Sequence, residues 1–273
     1  MKTPPRILAI AGSDSSGGAG IQADIKTATM LGGYAMSAIT AITVQNTTGV
    51  QGVETLSAEL VVAQAQACLD DIGADAIKIG MLGSPETARA VADLLAGFEG
   101  HVVFDPVMVA TSGAVLADAE TIDAFAALMR RATLATPNLP ELAALTGMAC
   151  TTPDEIAAAA HRLAQDHGCA VLAKGGHDAG ERVIDRLVYT NGDFASFEDQ
   201  RIDTRHTHGT GCTLASAIAT LLGHGLPLDH AVRLGRRFVI EALRKAPGFG
   251  AGHGPLGHQA VRGGGDASAE SAS

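Results

Sequence analysis

The sequence contains no tryptophan, and only 3% of its 273 residues are aromatic. Any core built from this chain must therefore be aliphatic and rich in alanine. Cysteine is also scarce: Cys68, Cys150, Cys169 and Cys212 are widely spaced, and no two form a CxxC pair. That argues against a zinc site and a disulfide framework. Positive charge is in deficit, with 19 Lys and Arg against 29 Asp and Glu, a net charge of −10. This argues against a nucleic-acid or anionic-membrane surface, although local backbone dipoles and a few placed cations can still bind phosphate. Long apolar runs are missing too. Ile7–Ala11, behind Lys2 and Arg6, is too short for a signal peptide, and no window approaches a transmembrane span. The expectation is a cytoplasmic protein with no membrane or nucleic-acid partner.

What is present is a globular composition, 47% hydrophobic and 18% charged. Short aliphatic runs alternate with helical patterns. Ile7–Ala11, Ala38–Val44, Ala76–Ile79, Val102–Phe104, Leu134–Thr136 and Ala170–Lys174 read as strands. Helices are expected around Ile21–Ala28, Leu60–Ile72, Pro85–Leu95, Ala119–Met129 and Leu228–Leu243. Thr152-Pro-Asp-Glu155 is a capping box with proline at the first helical position, opening a helix to His167 that Gly168 closes. Asn191-Gly192-Asp193 between Arg186–Thr190 and Phe194–Phe197 reads as a hairpin turn. Leu214, Ala217, Ile218, Leu221 and Leu222 then recur at helical spacing. Strand–helix alternation predicts an α/β fold with a mostly parallel sheet covered on both faces. One domain is expected over 1–262, followed by a small polar tail at 263–273.

In such a sheet, ligands bind beyond the carboxyl ends of the strands. The distinctive chemistry of the chain falls there. Gly209-Thr210-Gly211 precedes a helix start, where free N–H groups and a partial positive charge suit an anion. Cys212 sits in the first turn of that helix, a position that favours thiolate; a small buried helix residue is the alternative. Asn138 and Glu141 lie three apart and could share a hydrated Mg2+, or simply cap a helix. Lys174, before two glycines, could reach phosphate oxygens, and Asp105 ends a strand where an acid could hold Mg2+ or accept a proton. Gly12–Gly20 is so rich in small residues that a ligand should lie against its backbone. Gln45 ends the second long strand, and its amide pairs a donor with an acceptor, matching the edge of an aminopyrimidine. Met81 could press on a flat ring or merely fill core.

The stretches GSDSSGGAGIQADIKT, TVQNTTGV, KIGML, DPVMVATSG, TPNLPEL, KGGH and HGTGCTLASA occur in this order between residues 12 and 217. Together they resemble the hydroxymethylpyrimidine/phosphomethylpyrimidine kinases of thiamine biosynthesis, in the ribokinase superfamily. The resemblance implies a ribokinase-like three-layer α/β/α fold, ATP, Mg2+ and a homodimer. It implies two successive phosphorylations, of 4-amino-5-hydroxymethyl-2-methylpyrimidine and then of its monophosphate. It makes Gln45 the pyrimidine reader, helped by Gly12, Asp24, Met81 and Val107. Gly209 and Gly211 become the anion hole with Cys212 as a mild base, and Lys174 lies at the nucleotide side. Asp105, Asn138, Glu141 and Thr210 become the residues associated with ATP and Mg2+. Three rivals stand beside it: a pyridoxal or pyridoxamine kinase of the same superfamily, a thiol hydrolase pairing Cys212 with His206 or His208, and a non-catalytic pyrimidine-binding regulator.

Overall fold

The computed structural model describes residues 3–110, 113–177 and 180–261. The polar tail at 263–273 lies outside the described residues.

Nine strands form one sheet, with spatial order β3-β2-β1-β4-β5-β6-β7-β8-β9. The strands are β1 (Arg6–Asp14), β2 (Tyr34–Asn46), β3 (Gly49–Thr55), β4 (Ala76–Ile79), β5 (His101–Phe104), β6 (Leu134–Ala135), β7 (Ala170–Ala173), β8 (Arg182–Val188) and β9 (Phe194–Gln200). The run from β2 through β1, β4, β5 and β6 to β7 is parallel. Antiparallel β3 closes one edge, and the β8–β9 hairpin closes the other.

Along β1 the pleat sends alternate side chains into opposite cores, Leu8 and Ile10 to one and Ile7 to the other. The first core takes α2 (Ala58–Asp71), α3 (Pro85–Leu94), α4 (Ala119–Met129), α5 (Leu139–Thr146) and α6 (Pro153–His167). The second takes α1 (Gly20–Met30), α7 (Thr210–Gly223) and α8 (Leu228–Arg244). Helices thus cover both faces, as the alternation predicts. Phe104 and Phe125 form the edge-to-face pair of the first core, with ring centroids 5.1 Å apart. No helix among the described residues is long and apolar enough to cross a membrane.

Two departures from the sequence reading bear on the site's side of the sheet, beside the earlier starts of β2 at Tyr34 and β8 at Arg182. β1 does not stop at Gly12 but runs to Asp14, with a register shift against β2 between Ala11 and Ser13. β3 is absent from the sequence reading; its Gly49-Val-Gln-Gly-Val-Glu-Thr55 is largely exposed at the sheet edge and lacks the continuous apolar run of the inner strands.

β1 feeds β2 on one side, while β4 returns to the other side of β1. The strand order therefore reverses between β1 and β4, and a crevice opens at their carboxyl ends.

Candidate active site

The N-terminus of α7 points into this crevice. Gly209 is its N-cap with φ of 86°, in the left-handed region, and a side chain there would collide with the backbone of Gly18. Glycine is thus required both by conformation and by contact. From Thr213 to Leu222 every residue of α7 is buried, so the helix mouth is rigidly fixed beneath the crevice.

The crevice is a cavity of about 870 Å³. Gly12, Gln45, Met81, Val107, Asp105, Asn138, Glu141, Lys174 and the run from Gly209 to Cys212 all line it. Residues singled out in seven separate segments are brought to one place. Asp24 is the exception. It is 2% exposed, does not line the cavity, and accepts hydrogen bonds from Lys78 Nζ at 2.9 Å and Ser216 Oγ at 2.7 Å. Its neighbour on the cavity side is protein, so the expected substrate contact is corrected to a buried ion pair joining α1, β4 and α7.

At the anionic end, Asp105 Oδ1 accepts from Thr136 at 2.9 Å and from Lys174 at 2.7 Å. Its Oδ2 turns toward Gly211, where an added Cβ would lie 3.3 Å away. Burial alone would raise the Asp105 carboxyl, but Lys174 and Lys78, with these hydrogen bonds, bring it below the usual carboxylate range. Lys174 stays protonated because Asp105 and Glu141 outweigh its own burial.

Asn138 and Glu141 form a reciprocal capping box on α5, Asn138 Oδ1 accepting from Glu141 N–H at 2.9 Å and Glu141 Oε2 from Asn138 N–H at 2.8 Å. The capping alternative is therefore realised, yet the Glu141 carboxyl still reaches the cavity. Burial pushes it up to about 7, against the pull of Lys174.

The Cys212 thiol runs opposite to expectation. Burial raises it to about 11, and Lys78 only partly offsets this. The helix mouth does not make a thiolate in the free protein, because the sulfur is withdrawn from water among Asp24 and Asp105 as well as Lys78. Neither His206 nor His208 pairs with it. His208 Nε2 instead lies 2.8 Å from Asp14 Oδ2 and 3.3 Å from the end of the Gln45 amide.

Several organising residues carry no single-residue signal in the sequence. Asp14 also accepts from Ser16 N–H, Ser16 Oγ, Gly18 N–H and Ala19 N–H, and so shapes the glycine loop. Asp185 accepts from Gly175 N–H at 2.8 Å and pairs with the buried Arg236 of α8, fixing the turn after Lys174. A charged residue at an inward position of β8 was the one available clue to Asp185. The C-terminal segment ties down the Gln45 turn, His253 N–H donating to Thr47 C=O at 2.8 Å.

Comparison with known proteins agrees with this arrangement. The hydroxymethylpyrimidine/phosphomethylpyrimidine kinase of Streptomyces coelicolor is 45% identical over 94% of this chain and 95% of its own. The thiamine biosynthesis multifunctional protein ThiED of Corynebacterium efficiens is 44% identical over 94% of this chain, which spans only 35% of that longer protein. The ADP complex of Bacillus subtilis pyridoxal kinase superposes with a TM-score of 0.86 at 33% identity, over 94% of this chain and 98% of that one. Residues 14–257 match the family described as phosphomethylpyrimidine kinase, and the chain belongs to it.

Proposed function

We propose that this protein phosphorylates 4-amino-5-hydroxymethyl-2-methylpyrimidine with ATP, and then phosphorylates the monophosphate to the diphosphate. The carrying observation is that one cavity joins Gln45, whose amide matches an aminopyrimidine edge, to the α7 mouth flanked by Lys174 and Asp105. Family membership and the bifunctional kinases among the relatives support the same reading.

In the first step the hydroxymethyl oxygen attacks the γ-phosphorus, the bond to ADP breaks, and the hydroxyl proton passes to an oxygen of the transferred phosphoryl group or to water. In the second step the attacking oxygen already belongs to a phosphate, and no strong base is needed. Backbone N–H groups of the Gly209–Cys212 turn and the Lys174 ammonium face the charge that develops on the transferred group. A neutral Cys212 thiol adds no repulsion to the phosphorylated second substrate. Gly12 and Met81 form the floor under the ring: Met81 packs so closely on Gly12 that a side chain there would strike its methyl.

Asp105 and Glu141 offer hard carboxylate oxygens at the cavity wall and suit Mg2+, largely through water, whereas the Asn138 carboxamide oxygen is taken by the helix cap. Mg2+ bound there would neutralise phosphate oxygens and orient them for in-line transfer.

The described residues act as one kinase unit, with the cavity drawing on strands from β1 to β8. Ile42 and Val44 sit two apart on β2, share a face, and are 44% and 62% exposed, which supports burial against a second copy in a homodimer. Sedimentation should then give twice the chain mass. The four cysteines are free, which suits a reducing cytoplasm.

The test is ADP release by the purified protein with Mg-ATP and hydroxymethylpyrimidine, pyridoxal in parallel, and products identified by mass. Pyrimidine mono- and diphosphate are expected. Pyridoxal phosphate alone would establish the second reading, which the pyridoxal kinase likeness keeps open.

A further inference from the structure

Hydrogen-bond accounting around Gln45 determines which way its amide faces. The Thr43 hydroxyl lies 3.2 Å from one end of that amide. Its only hydrogen is committed to the Ser13 carbonyl at 2.8 Å, an atom that can only accept. Toward Gln45, Thr43 therefore presents lone pairs and needs a donor.

The other end of the amide lies 3.3 Å from His208 Nε2. That nitrogen is also 2.8 Å from Asp14 Oδ2. Asp14 accepts four further hydrogen bonds from Ser16, Gly18 and Ala19, so it is a carboxylate and cannot donate. Nε2 must then carry a proton, which it gives to Asp14; toward Gln45 it has no lone pair to offer, so it tolerates an amide oxygen beside it and not an amide N–H. Both neighbours favour the same orientation of the amide.

A half-turn about the last side-chain bond exchanges the amide's oxygen and nitrogen without moving another atom. With nitrogen toward His208 and oxygen toward Thr43, N–H meets N–H at one end and lone pairs meet lone pairs at the other. The opposite orientation gives Thr43 its donor and turns the amide oxygen toward the His208 N–H, whose main acceptor remains Asp14. We propose that His208, held by Asp14, is a positioning residue that locks Gln45 with its amide oxygen toward His208 and its nitrogen toward Thr43, and so sets which ring edge the site accepts.

The locked amide leaves one acceptor and one donor for the ligand in fixed order. A 4-aminopyrimidine answers with its exocyclic N–H beside the oxygen and its ring nitrogen beside the amide N–H. A 4-oxo ring carries a carbonyl and a ring N–H, the reverse pattern. A freely turning amide would take either ring; a locked one rejects the oxo ring. This rests on the pyrimidine reading above, which it deepens.

The test is calorimetric binding of the 4-amino ring and its 4-oxo analogue to the full chain, which does not depend on turnover. Wild type should bind the amino ring at least about 100-fold more tightly. His208→Leu should narrow that ratio about tenfold, as should Thr43→Val, which removes the lone pairs at the other end while keeping shape. The KM for ATP should stay unchanged. Equal affinity of wild type for the two rings overturns the proposal, and so does an unchanged ratio in a folded variant. If His208→Leu does not fold, Thr43→Val decides. Preferential binding of the amino ring without its phosphorylation would refute the kinase reading and leave the lock standing, while binding of neither ring would end both.

Discussion

Cys212 shows how burial can outweigh a helix N-terminus. The thiol sits where partial positive charge should ionise it, yet desolvation keeps it protonated up to about 11. Cys68, Cys150 and Cys212 are all half-buried, so the raised Cys212 thiol should make iodoacetamide label it at pH 7.5 more slowly than Cys68, as read by peptide mass mapping. Fast labelling of Cys212 at that pH would show that a thiolate exists. If bound substrates drive Cys212 to the thiolate, which then takes the hydroxyl proton, Cys212→Ala should slow the first phosphorylation much more than the second. Asp14 behaves in the reverse manner. Burial opposes its charge, but hydrogen bonds from His208, Ser16 and Ala19 prevail and lower it from 3.8 to about 2. Since its folded value lies below the unfolded one, Asp14 contributes stability at neutral pH that is lost as pH falls from about 4 toward about 2. Asp14→Asn should flatten that acid limb in chemical denaturation. None of this was legible in advance: the His208–Asp14 contact joins positions 194 apart, and no local pattern encodes it.

Elements were easier to read than contacts, for physical reasons. The helix over Pro153–His167 announces itself through Thr152, Glu155 and Gly168, and all three cap interactions are present. Inner strands are buried on both faces and so appear as short apolar runs. β3 escapes because an exposed edge strand carries no such run, and β8 begins at Arg182, earlier than the hairpin pattern shows, because its first residues are exposed. The candidate site was legible where an element ends in glycine or a lone polar residue, as at Gly209–Cys212, Gln45 and Lys174. It failed at Asp24, whose helical position is clear but whose inward direction depends on Lys78 of another element. The α7 mouth makes the sharpest prediction at this scale. Gly209→Ala forces a side chain into the left-handed region and against Gly18. It should displace the anion-binding N–H groups and cut kcat by about 100-fold or more, with far-ultraviolet circular dichroism unchanged. Near-normal kcat in that variant would show that the turn does not bind the transferred phosphate.

Across the whole molecule, opposite charges are held deep between layers that do not adjoin in sequence. Lys78 on β4 is fully buried and pairs with Asp24 on α1, which also accepts a hydrogen bond from Ser216 on α7. Removing one partner strands the other charge, so Lys78→Met or Asp24→Leu alone should cost about 3–5 kcal/mol of stability. The double replacement should cost much less, since two apolar groups leave no orphaned charge, and a thermodynamic cycle by urea unfolding measures the difference. Additive losses would mean the two groups act independently. The coupling has a consequence for descent. A lineage cannot exchange either partner by a single step without passing through a poorly folded intermediate, so the pair should be inherited as a unit. Any descendant that escapes it must change both codons nearly at once, or first acquire stability elsewhere. The ion pair beneath the crevice is thus a ratchet on the gene as well as a brace in the protein.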